Sequence, residues 1–440
     1  MKVTFVAANY APSVGGAQEH VRQVAEGLAG RGHQVDVITT DAERPPSGSD
    51  PGRVGPRREV LGGVAVERYP VAHRLARLHR DARRVRRRVR PPVHLGTPVA
   101  TPLECGPLSA RMALAVRAAH RRSDVVVGCS SPFLTMVAPP YLRGSGRAAS
   151  VAMPLLHLRL EGFHPWIGRA LVRCEGVTAS TSDERRVQVG LGVDPGAVAL
   201  LPPGTDPAAF PPIEQATARA RLGLPEGPTV GYLGRLAPHK GIDTLLDAAP
   251  AIWAAVPGTT VVVAGASAGW DGAAQRQRAL ADDRLVVRGA FDEVDKATWY
   301  AACDVVAFPS REESFGMVMV EAWAARRPVV AADVHAVRTI VRDGIDGLLV
   351  PVGDAAALAA AVVDLLRDPD RARGFGRAGR ARRGRAVVGG HRRRLGGLPR
   401  RDRPAPGRRP GREARLTCAG SPGCWSETGS TTSTVARSRP

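Results

Sequence analysis

Twice along this chain, short β-branched runs take turns with stretches of helical period, and that alternation restricts the fold more than any other feature. In the first forty residues "KVTFVAA" reads as a strand, "NYAPSVGGAQ" as a loop, "EHVRQVAEGLAGRG" as a helix with a glycine stop, and "HQVDVITT" as the next strand. Further strands are expected at "DVVVGCS" (124–130) and "GVTAST" (176–181), with a helix after the latter. Strands separated by helices lie parallel in one sheet, with the helices on its faces. A Pro/Gly-rich stretch, "LPPGTDPAAFPPIEQ" (201–215), reads as a linker, and after it the alternation restarts. Strands at "TVGYLG", "TTVVVAGA", "RLVVRGA", "DVVAFPS", "PVVAAD" and "GLLV" are interleaved with helices such as "GIDTLLDAAPAIWAAV", "KATWYAAC", "GMVMVEAWAAR" and "DAAALAAAVVDLLRD". The expected class is α/β, with two Rossmann-like domains facing across a cleft, residues 1–203 and 204–383. Ligands in such sheets sit beyond the carboxyl ends of the strands. Beyond about Pro369 the pattern collapses into Arg, Gly and Pro, and residues 384–440 are expected to form a disordered basic tail.

The bulk numbers agree with a two-domain globular chain. Its 440 residues suffice for two cores, and 44% hydrophobic with 23% charged residues fits a soluble protein. No apolar run approaches the roughly 20 residues of a membrane span. The start "MKVTFVAANYAPS" has one lysine and then a strand, which argues against a signal peptide. Six scattered cysteines without a C-x-x-C pair argue against zinc and a disulfide framework, and for a reduced cytoplasmic chain. The net charge of +21 is unevenly spread: Arg371 to Pro440 holds nineteen arginines against three acids, so +16, leaving +5 for residues 1–370. Residues 74–90, "RLARLHRDARRVRRRVR", carry nine arginines and one Asp, or +8. The basicity belongs to these two segments and not to the fold.

Three constellations carry chemistry. In "SREESFGMVMVEA" (310–322), Arg311 to Phe315 form the loop at the carboxyl end of a strand and Gly316 opens the next helix. Helix-opening N–H groups lack intrahelical partners and sit at the positive dipole end, so a glycine there lets a phosphate approach. Glu313 would lie in the loop above the cleft, and Glu321 in the second helical turn, within reach of vicinal hydroxyls such as a ribose's. On spacing alone, a buried helix with two acids at its ends would serve equally. In "GRLAPHKG" (234–241), Arg235 and Lys240 occupy a loop between strand and helix, which suits a diphosphate, although alone it could be a solvated basic turn. In "PSVGGAQEHV" (12–21), Gly15 and Gly16 would let the backbone approach a ligand, a weak signal by itself.

Together these residues resemble a retaining glycosyltransferase of family 4 with the GT-B architecture, of the kind found in actinobacterial hexosyl- and mannosyltransferases and inositol-phosphate glycosyltransferases. The match runs through "GGAQEHV…LAGRGHQVDVIT", "LLPPGTDPAAF", "GYLGRLAPHKGIDTLL", "ACDVVAFPSREESFGMVMVEAWA" and "PVVAADVHAVRTIVRDGIDGLLVPVGD". The resemblance implies hexose transfer from a nucleotide diphosphate sugar to a hydroxyl acceptor, small or lipid-linked, with retention and without a metal or other cofactor. It makes the first domain the acceptor domain and the second the donor domain. Arg235 and Lys240 would then hold the diphosphate, helped by the backbone of Phe315, Gly316, Met317 and Val318 and closed over by Gly16. Glu313 would contact the transferred sugar and Glu321 the ribose. The family's N-domain histidine near the anomeric carbon matches His157 best, and His164 second; an ordinary partly buried histidine is the other reading of His157. Glu184, in "TSDE", is read as structural.

The chain departs from the family in three places. Relatives commonly read A-x-G-x-P where Ala325-Arg326-Arg327-Pro328 stands, and Gly-Gly followed by an acid where His335-Ala336 and Thr339 stand; these positions are expected near the ligand cleft. In place of the family's final helix stands "RAGRARRGRAVVGGHRRRLGG". Such text is what an out-of-frame reading of GC-rich DNA gives, pointing to a frameshift near residue 383, with a genuine basic tail as the alternative. A nucleotide-sugar epimerase of the same architecture would be expected to lack both motif pairs. A nucleic-acid-binding protein fails on distribution, since the arginines have no aromatic platform among them, and no specific nucleic acid is expected. In residues 73–90, Leu75, Leu78, Ala82, Val85 and Val89 form a narrow apolar stripe. That stripe fits a surface helix on the N-domain core; the sharper reading is a peripheral contact with anionic membrane.

Overall fold

The computed structural model describes residues 1–13, 15–42, 54–71, 106, 109–156, 165–267, 282–291 and 293–394. Met1–Arg392 forms one compact unit; a second, Arg393–Pro440, falls almost wholly outside the described residues. Residues 73–90, read as an amphipathic helix, also lie outside them, as do His157 and His164.

The first sheet has the order β3-β4-β2-β1-β5-β6-β7-β8. Its strands are Lys2–Val6 (β1), Gln34–Thr40 (β2), Arg58–Leu61 (β3), Val64–Tyr69 (β4), Val125–Cys129 (β5), Ala149–Met153 (β6), Gly176–Ala179 (β7) and Val198–Leu200 (β8). All neighbours pair parallel except β3 with β4. Because helices cover both faces, the strands are apolar runs with little alternation. Val3 and Phe5 pack with Val21 and Ala25 of the helix Gly16–Ala29. Val6 and Ile38 pack with Met112 and Val116 of the helix Ala110–Arg122 on the other face. The β3–β4 hairpin is the one antiparallel pair and was not foreseen from the alternation. It turns on Gly62-Gly63, at φ +53° and +79°, a two-residue turn that suits glycine at both positions.

The second sheet is wholly parallel, in the order β11-β10-β9-β12-β13-β14. These strands are Thr229–Leu233 (β9), Thr260–Ala264 (β10), Leu285–Arg288 (β11), Val305–Phe308 (β12), Val329–Ala332 (β13) and Leu348–Val350 (β14). Period-2 alternation sorts the strand residues between two layers. Leu233, Val306 and Phe308 face the helix Met317–Ala324. Val230, Tyr232 and Ala307 face the helices Ile242–Ala255 and Ala355–Arg367. The strand order reverses between β9 and β12, so a crevice opens where the loops after these two strands diverge. In the first sheet the same reversal falls between β1 and β5.

The chain after Pro369 does not lose its pattern there. A helix runs Pro369–Arg394, starting where the pattern was expected to collapse and reaching into the 384–440 stretch expected to be a tail. Ala372 and Phe375 enter the core. Two glycines permit contacts that any side chain would block: a Cβ on Gly376 would stand 2.1 Å from the Arg326 carbonyl oxygen, and one on Gly379 2.3 Å from the Trp323 indole. The Arg382 guanidinium lies 5.3 Å from the centre of the Trp323 ring and 3.0 Å from Asp346. Gly376, Gly379 and Arg382 are thus packing residues. Residues 395–440 lie outside the described residues.

Candidate functional site

Both loops singled out in the second domain emerge at the crevice between β9 and β12. After β9 the chain turns at Gly234 (φ +145°), passes Arg235, makes a 3-10 turn over Pro238–Lys240, and turns again at Gly241 (φ +66°) into the helix Ile242–Ala255. Only glycine fits at 241, because a Cβ would lie 2.0 Å from the carbonyl oxygen of Pro309, in the neighbouring loop. That second loop, Ser310–Gly316, follows β12 and opens the helix Met317–Ala324 at Gly316 (φ +94°). Arg311 laces the two together. Its amide donates to His239 O (2.8 Å) and its guanidinium to Pro238 O (3.0 Å) and both oxygens of Asp243 (2.8 and 2.5 Å). Hydrogen bonds from the Arg311 guanidinium hold the Asp243 carboxyl below its usual range.

Lys240 and Glu313, proposed from separate motifs, meet directly. Lys240 Nζ lies 2.6 Å from Glu313 Oε2, with side chains 15% and 8% exposed, and Glu313 Oε1 accepts the Ser314 amide at 3.1 Å. Burial, and then the nearby Glu313 charge, push the Tyr232 hydroxyl pKa well up; that hydroxyl donates to Arg235 O at 2.7 Å. Glu321 has its own lysine. Lys296 Nζ donates to Oε1 at 3.0 Å, and the Tyr300 hydroxyl donates to Oε2 at 2.7 Å. Both partners come from the helix Glu293–Ala302. The motif reading missed Lys296 and Tyr300; their four-residue spacing puts them on one helix face, but nothing in the sequence says which acid that face meets.

The glycine loop of the first domain closes the crevice from the other side. Gly16 opens the helix Gly16–Ala29, and a Cβ there would stand 3.4 Å from Met317 Cγ at the start of the helix Met317–Ala324. A Cβ on Gly15 would stand 2.7 Å from the Arg235 guanidinium. Two helix amino termini, with their unpaired N–H groups and positive dipole ends, thus converge beside Arg235. Buried Arg68 anchors the loop by donating to Ala11 O at 2.5 Å and pairing with Glu59. Burial pushes the Glu19 carboxyl up, but hydrogen bonds from Arg22 and Gln23, with the Arg22 and Lys296 charges, outweigh it and hold Glu19 below its usual range.

Gly16, Arg235, Lys240, Glu313 and Phe315–Val318 are therefore brought to one crevice, with Glu321 beneath it on the helix face toward Lys296. Glu184 is buried and accepts the amides of Leu156 (2.8 Å) and Ser180 (2.7 Å), tying down the chain just before His157; burial outweighs those bonds and raises its pKa. One departure from the family lies elsewhere than expected. Arg326 and Arg327 follow the helix Met317–Ala324 and lie by the amino end of β12, where Arg327 is half-buried beside Cys303 and Asp304, at the opposite end of the strands from the crevice. His335 does border the cleft, with Nδ1 3.6 Å from Asp183 Oδ2 of the first domain. Among the described residues no group of three His, Cys, Asp or Glu is placed to hold a metal ion, and no helix is long and apolar enough to cross a membrane.

The described families and folds agree with this arrangement. The model of glycosyltransferase family 4 matches residues 14–209, and that of glycosyl transferases group 1 matches residues 227–368. A D-inositol 3-phosphate glycosyltransferase of Acidothermus cellulolyticus is 33% identical over 394 residues, 81% of this chain and 78% of that protein. One of the same name from Segniliparus rotundus is 38% identical over 198 residues, and there the chain spans only 44% of the relative's length. Among solved structures, Anabaena HepE in complex with UDP and glucose matches with a TM-score of 0.65 at 21% identity, over 88% of this chain and 95% of that one. Sucrose-phosphate synthase from Thermosynechococcus elongatus matches with 0.65 at 24% identity, over 87% and 94%. At these identities the likeness is one of fold.

Proposed function

Since the chain belongs to glycosyltransferase family 4 and has the GT-B architecture, we propose that it moves a hexose from a nucleotide diphosphate sugar to a hydroxyl acceptor with retention at the anomeric carbon. The observation that carries this reading is the convergence of Lys240, Glu313 and two helix amino termini in one crevice, so close that a Cβ on Gly16 would stand 3.4 Å from Met317 Cγ across it. Arg235, Lys240 and the amides of Met317 and Val318 take the diphosphate, whose charge grows as the bond to the sugar breaks; donors fixed in advance stabilise that charge without a metal. Glu313 contacts the sugar hydroxyls and Glu321 the ribose. In a front-face step, the C1–O bond electrons leave with the diphosphate and the acceptor oxygen bonds C1 from the same face. The acceptor's proton passes to the departing phosphate oxygen. His157 stands in this reading as the N-domain group beside the anomeric carbon.

The relatives' names make an inositol phosphate the first acceptor to try, and the UDP bound to the Anabaena protein makes UDP-sugars the first donors. A panel of UDP-, GDP- and ADP-hexoses with myo-inositol phosphate, followed by NMR of the product's anomeric proton, tests the reading. Transfer with retained configuration, undiminished by EDTA, is expected. Inversion, or activity lost with EDTA and restored by magnesium, would refute the mechanism.

A further inference from the structure

We propose that Lys296 and Tyr300 are positioning residues for donor recognition: they lock the Glu321 carboxylate in the one orientation that accepts both hydroxyls of a ribose. This rests on the reading of Glu321 as the ribose ligand. An ionised carboxylate has about four lone-pair directions, two on each oxygen. Here each oxygen is already engaged once, Oε1 by Lys296 Nζ at 3.0 Å and Oε2 by the Tyr300 hydroxyl at 2.7 Å. One donor per oxygen fixes the carboxylate plane and leaves one direction on each oxygen for the vicinal 2′- and 3′-hydroxyls. Tyr300 is 1% exposed and sits in the core, so its hydroxyl is held by packing as well as by this bond. Lys296 and Tyr300 stand four residues apart on the helix Glu293–Ala302, which faces Glu321 on the helix Met317–Ala324.

The Lys296 charge also reaches Glu19, in the first turn of the helix that Gly16 opens, and helps hold that carboxyl below its usual range. The lysine therefore stands between an acid of each domain. Its ammonium sets a positive charge beside Glu321 at the floor of the crevice, 3.0 Å from Oε1. The consequence for substrate class is that ribonucleotide donors bind and deoxyribonucleotide donors are discriminated against, through two residues that touch no part of the substrate.

The experiment compares ribose-bearing and ribose-less nucleotides on the full chain. UDP, GDP and ADP are titrated calorimetrically, and the tightest is paired with its 2′,3′-dideoxy form. Tyr300→Phe should weaken the ribonucleotide about 5- to 10-fold and leave the dideoxy form within twofold, less than the loss of a direct bond to a charged group because the hydroxyl only orients the acceptor. Lys296→Met should weaken the ribonucleotide at least as much, and Lys296→Arg should restore most of it. In turnover, both losses should appear in the donor KM with kcat nearly unchanged. Equal losses for the two nucleotides, or no loss for either, would overturn the proposal, since a merely structural role cannot distinguish them. Glu321→Gln separates failure of the underlying reading: if that variant does not discriminate ribose from dideoxyribose, Glu321 is not the ribose ligand and both fall. Absence of binding by all three ribonucleotides would likewise refute the donor reading itself.

Discussion

Replacing Lys240 by alanine removes a cation assigned to the donor diphosphate, and it does something that replacing Arg235 does not. Lys240 Nζ is 2.6 Å from Glu313 Oε2 in a pair that is mostly buried. Losing a hydrogen bond between charged groups costs about 1.5–3 kcal/mol, roughly a 10- to 150-fold drop in affinity. Without the ammonium, the Glu313 carboxylate faces the incoming diphosphate as a like charge. At about 5 Å and an effective dielectric of about 20, two unit charges repel by roughly 3 kcal/mol. The two effects together, about 4.5–6 kcal/mol, put Lys240→Ala at roughly 1,000- to 10,000-fold in nucleoside diphosphate affinity. Arg235 is exposed, so Arg235→Ala should stay nearer to 10-fold. Titration of a nucleoside diphosphate beside its nucleoside reads the difference, and the nucleoside should change by no more than about twofold. A double variant, Lys240→Ala with Glu313→Gln, removes the like charge and should regain about 100-fold over the single one. Equal losses for diphosphate and nucleoside would refute the phosphate assignment. A double variant binding more weakly than Lys240→Ala would refute the coupling of the pair.

Two stability predictions follow from backbone geometry. The helix Met317–Ala324 ends with Arg327 N donating to Ala322 O (2.7 Å), Arg326 N donating to Trp323 O (2.9 Å), and Arg326 at φ +61°, a position that favours glycine. Arg326→Gly removes a left-handed cost of about 1–2 kcal/mol against a glycine entropy cost of about 0.5–1 kcal/mol. It also relieves the like charge on Arg380. A rise of about 1–2 °C in thermal midpoint is expected for a chain of this size; a fall would mean the Arg326 side chain makes a contact worth more than the strain. Gly241→Ala should destabilise by about 2–4 kcal/mol, the left-handed cost plus displacement of Pro309 O from 2.0 Å. A midpoint unchanged by that substitution would show that the two crevice loops move apart freely.

How much of this was legible in the sequence depended on how local the cause was. The parallel strands were plain, because burial on both faces leaves runs such as "VVVGC" and "TVVVA" that few other contexts tolerate. Gly62-Gly63 between "REVL" and "VAVERY" was an equally local hairpin signal, hidden by the expectation of a crossover. The helix Pro369–Arg394 misled for the opposite reason. Each glycine inside a helix costs about 1 kcal/mol against alanine, so Gly374, Gly376 and Gly379 argue locally against one. Only the close approach of Arg326 and Trp323 explains two of them, and that contact spans about fifty residues of chain. The site divides in the same way. Each loop announced itself by residue type and by its place after a strand. The Lys240–Glu313 contact, across 73 residues, and the Lys296–Glu321 contact, between two helices, are products of the sheet order.

The pairing of each motif acid with a lysine gives the crevice its electrostatic logic. A carboxylate as little exposed as Glu313 or Glu321 is costly to keep ionised without a partner. Lys240 and Lys296 supply that partner, at 2.6 Å from Glu313 and 3.0 Å from Glu321. On the proposed assignment the diphosphate meets a lysine whose three N–H donors allow it to hold Glu313 and a phosphate oxygen together. The donor's negative charge thus need not strip the lysine from its acid; it adds a third member to the pair, beside an exposed arginine and two helix termini. That arrangement also explains why the two acids can act differently despite identical chemistry. Glu313 is set in a loop that Arg311 ties to the Pro238–Lys240 turn, so on the proposed assignment its lysine is shared with the leaving group. Glu321 is set in a helix, with a lysine and a tyrosine held by a second helix, so its geometry is fixed before any substrate arrives.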